Sequence, residues 1–235
     1  MLSCEETVLL QIRPFRETGY LLKGFSKDKG IISFLIQGVR GKSKRKSNFH
    51  LFAPYEFVYY DSNKSELKRI KEHAYLGGSF EHNPMRDFIA TFCAEVFIEA
   101  VKEEELSMEL FELLHNASLS LSQATELSEF HFGFIRQLIS ISGIAPQAIR
   151  KDDSQAFDLL EANFVDPKHQ IDLRNLLDLE ESRLFEGFIN NKRPFAKNGE
   201  ERFILLDLIL RFLEIQLPGF RRPKSVEVLH AVLHD

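Results

Sequence analysis

The chain has 235 residues, 44% of them hydrophobic and 28% charged, which excludes a wholly disordered polymer and leaves room for two domains. Its net charge of −5 argues on its face against a nucleic-acid partner. Two cysteines, Cys4 and Cys93, exclude a disulfide framework and a four-thiolate zinc site.

The distribution of charge says more than the total. Residues 1–80 carry 14 Lys+Arg against 8 Asp+Glu, whereas the remainder carries 16 against 27. Such asymmetry predicts two parts with different partners. The opening Met1–Glu6 lacks the basic and apolar regions of a signal peptide. The most apolar stretch, Phe203 to Leu213, is broken by Asp207 and Arg211 and is too short to cross a bilayer. The expected location is therefore cytoplasmic, with no membrane partner.

Taken in chain order, the first eighty residues predict strands over Thr7–Arg13, Tyr20–Phe25, Ile31–Val39, Tyr55–Asp61 and Leu67–Leu76, all rich in β-branched and aromatic residues. Turn signals separate them: Glu17-Thr18-Gly19, Lys27-Asp28-Lys29-Gly30 and Asp61-Ser62-Asn63-Lys64, with Gly30 expected at positive φ. Five short strands in about eighty residues fit a closed barrel better than an open sheet, because closure removes edges.

From Pro84 the period changes. Phe88, Phe92, Val96 and Phe97 predict an amphipathic helix entered at a proline. Leu106–Leu121 continues the pattern, and Phe130, Phe134, Leu138 and Ile141 give a third stripe ended by Gly143 and Pro146. Residues 146–172 are less regular, with Phe157, Leu159 and Phe164 as candidate anchors. Helices are expected over Asn175–Phe188 and Glu200–Gln216, and a last short one over Ser225–Leu233. The fold class is thus α+β: an N-terminal five-stranded barrel of the oligonucleotide-binding (OB-fold) type over 1–80 and an all-helical domain over 81–235.

The sharpest local feature is Gly38-Val39-Arg40-Gly41-Lys42-Ser43-Lys44-Arg45-Lys46-Ser47, in which five of the seven residues from Arg40 to Lys46 are cationic. Like charges this close repel one another unless a polyanion neutralises them. Arg40, Lys42, Lys44, Arg45 and Lys46 are accordingly candidate phosphate contacts, with Arg13, Lys68, Arg69 and Lys71 adding charge on the same barrel. Tyr20, Phe34, Phe49, Phe52 and Tyr59 are candidates to stack on bases. A solvated basic loop that keeps a small domain soluble would carry the same run of charge, and for any single one of these aromatics a place in the core is the stronger expectation.

Catalytic constellations do not form. His230 and His234 share a helix face at i, i+4, but no second class of ligand stands beside them except Asp235. Glu180-Glu181 and Glu200-Glu201 lie at expected helix starts, where they complement the dipole. No phosphate-binding glycine loop, nucleophile elbow or paired-histidine zinc motif occurs. No catalytic residue, metal or cofactor is expected, and an enzyme is the weaker reading.

The order of features resembles the bacterial RecO family of DNA repair proteins along nearly the whole chain. The residues that carry the likeness begin with Glu17-Thr18-Gly19-Tyr20-Leu21-Leu22, Asp28-Lys29-Gly30 and the Gly38–Lys44 turn. His50-Leu51-Phe52-Ala53-Pro54-Tyr55 and Leu67-Lys68-Arg69-Ile70-Lys71-Glu72 follow, then Ala94-Glu95-Val96 and Ala156-Phe157-Asp158-Leu159 with Phe164. The last is Leu217-Pro218-Gly219-Phe220 with Lys224-Ser225-Val226-Glu227-Val228-Leu229, similar to forms from the Bacteroidetes.

The resemblance implies a non-enzymatic recombination mediator, cytoplasmic and nucleoid-associated. Such a protein binds single- and double-stranded DNA, anneals complementary strands, and works with RecR to load RecA onto DNA covered by single-stranded-DNA-binding protein (SSB). Many relatives carry a cysteine zinc finger; this chain lacks those cysteines, so no zinc is carried over. It further implies that the helical domain binds the acidic C-terminal tail of SSB, for which Arg211, Arg221, Arg222 and Lys224 are the candidate basic rim. Two other readings of the residues stay open: an RNA-binding barrel protein, and an adapter that binds only proteins.

Overall fold

The computed structural model describes residues 1–39, 49–61, 65–78, 83–102, 106–146, 150–170 and 173–233. They form two compact units, Met1–Leu127 and Ser128–Asp235.

The first unit is built on five strands: β1 (Leu2–Phe15), β2 (Gly19–Ser26), β3 (Gly30–Ile36), β4 (Pro54–Tyr60) and β5 (Leu67–Tyr75). They close in the order β1-β2-β3-β5-β4, with β4 returning to β1, and every pairing is antiparallel except β3 with β5. This is the OB-fold barrel expected from the strand pattern. Period-two alternation puts Leu22, Ile32, Phe34, Ile36, Tyr55, Phe57, Tyr59 and Ile70 inside. The interior is aromatic: Phe34 meets Phe57 at 4.9 Å and Tyr59 at 5.4 Å between ring centroids, and Tyr55 stacks on Phe57 at 5.6 Å. Gly30 adopts φ 65° in the β2–β3 turn, as its place there requires.

β1 starts earlier than the local pattern predicts and serves two neighbours. Leu2–Val8 pairs with β4 and Thr7–Phe15 pairs with β2, with a register shift between Leu9 and Gln11. Thr7, Val8, Leu9 and Leu10 are all buried in succession, so this part of β1 is covered on both faces. One face looks into the barrel. Against β1 pack α1 (Pro84–Ala100) and α2 (Met108–Gln123), with Phe97 meeting Phe25 at 5.2 Å and His115 Nε2 lying 3.2 Å from Glu6 Oε1. Asn83 and Ser107 cap the two helices, each accepting from a first-turn N–H.

The second unit holds α3 (Phe130–Ile141), α4 (Leu179–Ile189), α5 (Gly199–Gln216) and α6 (Val226–Leu233). A short hairpin of β6 (Ala156–Asp158) and β7 (Asn163–Val165) interrupts the otherwise helical chain, within the stretch that lacked a clear period. Asp158 accepts from the N–H groups of Leu160 and Glu161 and so builds the hairpin turn. The core is a phenylalanine cluster in which Phe185 lies 4.8 Å from Phe157 and 5.7 Å from Phe212. Each of those three rings is fully buried, so truncating any one to Ala costs about 3–5 kcal/mol. Helix α4 begins at Leu179 instead of Asn175, behind a capping box in which Asp178 and Glu181 exchange bonds.

Candidate nucleic-acid interface

The basic run Arg40, Lys42, Lys44, Arg45 and Lys46 lies outside the described residues, but the chain on either side of it is placed. Val39 is buried and its N–H donates to Thr18 O at 2.9 Å. On the far side Phe49 packs against Tyr20, Tyr55 and Phe57, and the His50 N–H donates to Tyr55 Oη at 2.9 Å. The described residues on either side of the run, Val39 and Phe49, are thus both anchored against the barrel core.

The other candidate cations divide by what they touch. Lys68 follows the inward face of β5 to the barrel end, where its Nζ donates to Asp61 Oδ1 at 2.8 Å. Lys29 donates to Asp61 Oδ2 at 2.7 Å from the other side. These bonds, from Lys29 first and Lys68 second, hold the Asp61 carboxyl well below the usual carboxylate range. Lys71 lies 3.0 Å from Glu72 on an exposed edge, a pairing that raises the Lys71 ammonium above its ordinary value. Arg13 and Arg69 differ: both are exposed, and neither makes a side-chain hydrogen bond or ion pair with the described residues.

Register brings those two arginines into one line across the outside of the barrel. Arg13 stands opposite Leu21 on β2, Leu21 opposite Leu35 on β3, and Leu35 opposite Arg69 on β5. Arg69 in turn faces Tyr60 on β4, whose partner on β1 is Leu2. Leu21 and Leu35 are half-buried, while Tyr60 is 51% exposed. Lys23 lies on the same outer surface, opposite Gln11 and Ser33.

The five aromatics named as stacking candidates take the core places that are the stronger expectation for any one of them. Phe34, Phe52 and Tyr59 are buried, and Tyr20 and Phe49 pack half-buried against the barrel core. Tyr60 is the aromatic that sequence reading passed over. Its signal was there: Tyr59 and Tyr60 are consecutive on a strand, so one of them had to face outward.

Beyond the barrel, Arg222 is held by two carboxylates of α5, Asp207 at 2.6 Å and Glu214 at 3.0 Å. Arg221 and Lys224 are exposed on the same turn, and Arg211 is half-buried on α5. An open cleft of about 610 Å³ lies elsewhere in this unit, between the start of α4, the α4–α5 connection and the start of α5. Leu184, Phe195 and Ile204 supply its apolar wall and Arg183, Lys192 and Lys197 its cations. None of the four expected rim residues lines it. Among the described residues, no group of three His, Cys, Asp or Glu could hold a metal ion, and no helix is long and apolar enough to cross a membrane.

Comparison with known proteins converges on one family. Residues 1–77 match the family model described as "Recombination protein O N terminal". Over almost their full lengths, proteins named DNA repair protein RecO are similar to this chain. The one from Christiangramia forsetii is 26% identical, covering 99% of both chains. That from Flavobacterium psychrophilum is 25% identical over 97% of each, and that from Bacteroides fragilis 26% identical over 97% of this chain and 98% of its own. An OB-fold barrel whose residues 1–77 match the RecO N-terminal model, followed by helices, gives this chain a RecO-type N-terminal domain and makes it similar end to end to proteins named DNA repair protein RecO.

Proposed function

We propose that the protein is a non-catalytic recombination mediator that binds single- and double-stranded DNA and anneals complementary strands. With RecR, it helps to load RecA onto single-stranded DNA coated with SSB. The observation that carries this reading is the outer row of the barrel, where Arg13 and Arg69 have no protein partner among the described residues. Exposed arginines on β1 and β5, flanking the β2–β3 face that OB-folds use for oligonucleotides, are suited to phosphate.

In this reading the barrel over 1–80 is the DNA-binding part. Arg40, Lys42, Lys44, Arg45 and Lys46 give the main phosphate contacts, and Arg13, Arg69 and Lys71 extend the track. Lys68 contributes by field more than by contact, since Asp61 already holds it. The part over 81–235 docks proteins. Arg211, Arg221 and Lys224 form the rim for the carboxylate end of the SSB tail, and Arg222 braces the turn that carries two of them. Work of this kind is done in the cytoplasm, at the nucleoid.

The test is a fluorescence annealing assay on complementary strands coated with SSB, with and without the SSB tail. Annealing that requires the tail supports the reading. Absence of both annealing and DNA binding at low salt would overturn it.

A further inference from the structure

We propose that Tyr60 is a base-stacking platform which makes the outer row of the barrel selective for single-stranded DNA. This deepens the DNA-binding reading above and rests on it. The argument starts from parity. β4 ends in Tyr59-Tyr60; Tyr59 fills the barrel and Tyr60 faces solvent with half its surface free. Tyr60 thus presents an aromatic ring to solvent on the same outer surface as Arg69, while the aromatics Phe34, Phe57 and Tyr59 fill the barrel.

Its surroundings are those of a single-strand site. Arg69 is its direct cross-strand neighbour, so the two side chains rise about 5 Å apart on the same face. Leu35 and Leu21 continue the row as half-buried apolar surface, and Arg13 closes it three strands away, about 14 Å along. A cation, an apolar floor, a second cation and an aromatic ring in line match a polymer with charges on one edge and flat apolar bases on the other. The carboxylate next to Tyr60 in sequence, Asp61, is already paired with Lys29 and Lys68. Phosphate approaching Arg69 therefore meets little opposing charge from it.

A duplex cannot use this platform, because its bases are stacked on each other. Phosphate contacts alone would serve both forms. Tyr60 thus supplies a term present for single strands and absent for duplex.

The experiment compares the full chain with Tyr60→Ala and Tyr60→Phe, by anisotropy with a labelled thymidine oligonucleotide, its abasic counterpart, and a duplex of equal length. Tyr60→Ala is expected to weaken binding to the single strand about 10-fold at every salt concentration, with the salt slope unchanged. Tyr60→Phe should bind like the parent. Affinity for the abasic strand and for the duplex should not change. Equal single-strand affinity of Tyr60→Ala and parent would overturn the platform while leaving DNA binding intact. So would an equal loss on duplex and abasic strand. A parent chain that binds no oligonucleotide overturns the DNA-binding reading itself.

Discussion

Lys29 donates to Asp61 across 2.7 Å and so ties the β2–β3 turn to the end of β4. Lys68 completes the knot from the start of β5. The folded state holds the Asp61 carboxyl below its usual range, so the group stabilises the fold above its unfolded value and loses that contribution as pH falls through the folded one. Lys29 is raised, so its own contribution is present below the usual lysine range and is lost only as pH climbs above it. We expect Asp61→Asn to lower the melting temperature at pH 7, with the gap to the parent narrowing below about pH 4. Thermal melts from pH 8 downward measure it, and a gap that stays constant into acid would contradict the assignment.

Gly24 tests the barrel's double-duty strand. A Cβ there would meet Val8 O at 2.7 Å, and backbone cannot swing aside as a flexible side chain can. Gly24→Ala is expected to destabilise by about 1–3 kcal/mol through crowding where β1 passes from one neighbour to the other. Urea unfolding reads the loss, and a stability equal to the parent's would show that β1 can shift at no cost.

For the basic run the expectation is a change of slope. Replacing Arg40, Lys42, Lys44, Arg45 and Lys46 together by Ser removes five cations, each releasing a counterion when it meets phosphate. The plot of log K against log salt for a single strand should become shallower by about 3.5. A slope indistinguishable from the parent's would remove the run from the contact surface.

Arg222 and its neighbour Arg221 should separate. Arg222→Ala breaks two partly exposed ion pairs, so we expect a stability loss of about 0.5–1 kcal/mol. Lys224→Ala should leave the melting temperature unchanged, and Arg221→Ala with Lys224→Ala should weaken binding of an SSB tail peptide severalfold. Calorimetric titration with the peptide decides it: full affinity in the double variant would exclude these residues as the rim.

Much of the barrel could be read from residue order because its signals are local. Alternation fixed which residues of β2, β3 and β4 face inward, and Gly30 marked its turn. The same alternation distinguishes Tyr59 from Tyr60, yet type alone made Tyr59 the candidate for stacking. What local pattern could not show was pairing at a distance. The early start of β1 comes from residues 54–60, which lie far along the chain. Asn175–Leu177 reads as a helix start, but there Asn175 O accepts from Leu159 N–H, Leu177 N–H donates to Phe157 O, and Leu176 bridges Asp158. These bonds to the hairpin hold the segment extended, and the helix waits for Asp178. Likewise, sequence could gather Arg221, Arg222 and Lys224 as neighbours, but not reveal that Asp207 and Glu214 had already taken one of them.

Because Leu2–Val8 pairs with β4, the barrel's final seam joins residues about fifty positions apart in a chain made from the other end of that interval. During synthesis the meander of β1, β2 and β3 can assemble from neighbours alone, whereas the first half of β1 must remain an open edge until β4 has emerged. That edge offers unpaired backbone to any other nascent chain. A pause that leaves residues 1–36 outside the ribosome while residues 54–60 are still inside it would thus lengthen the aggregation-prone interval.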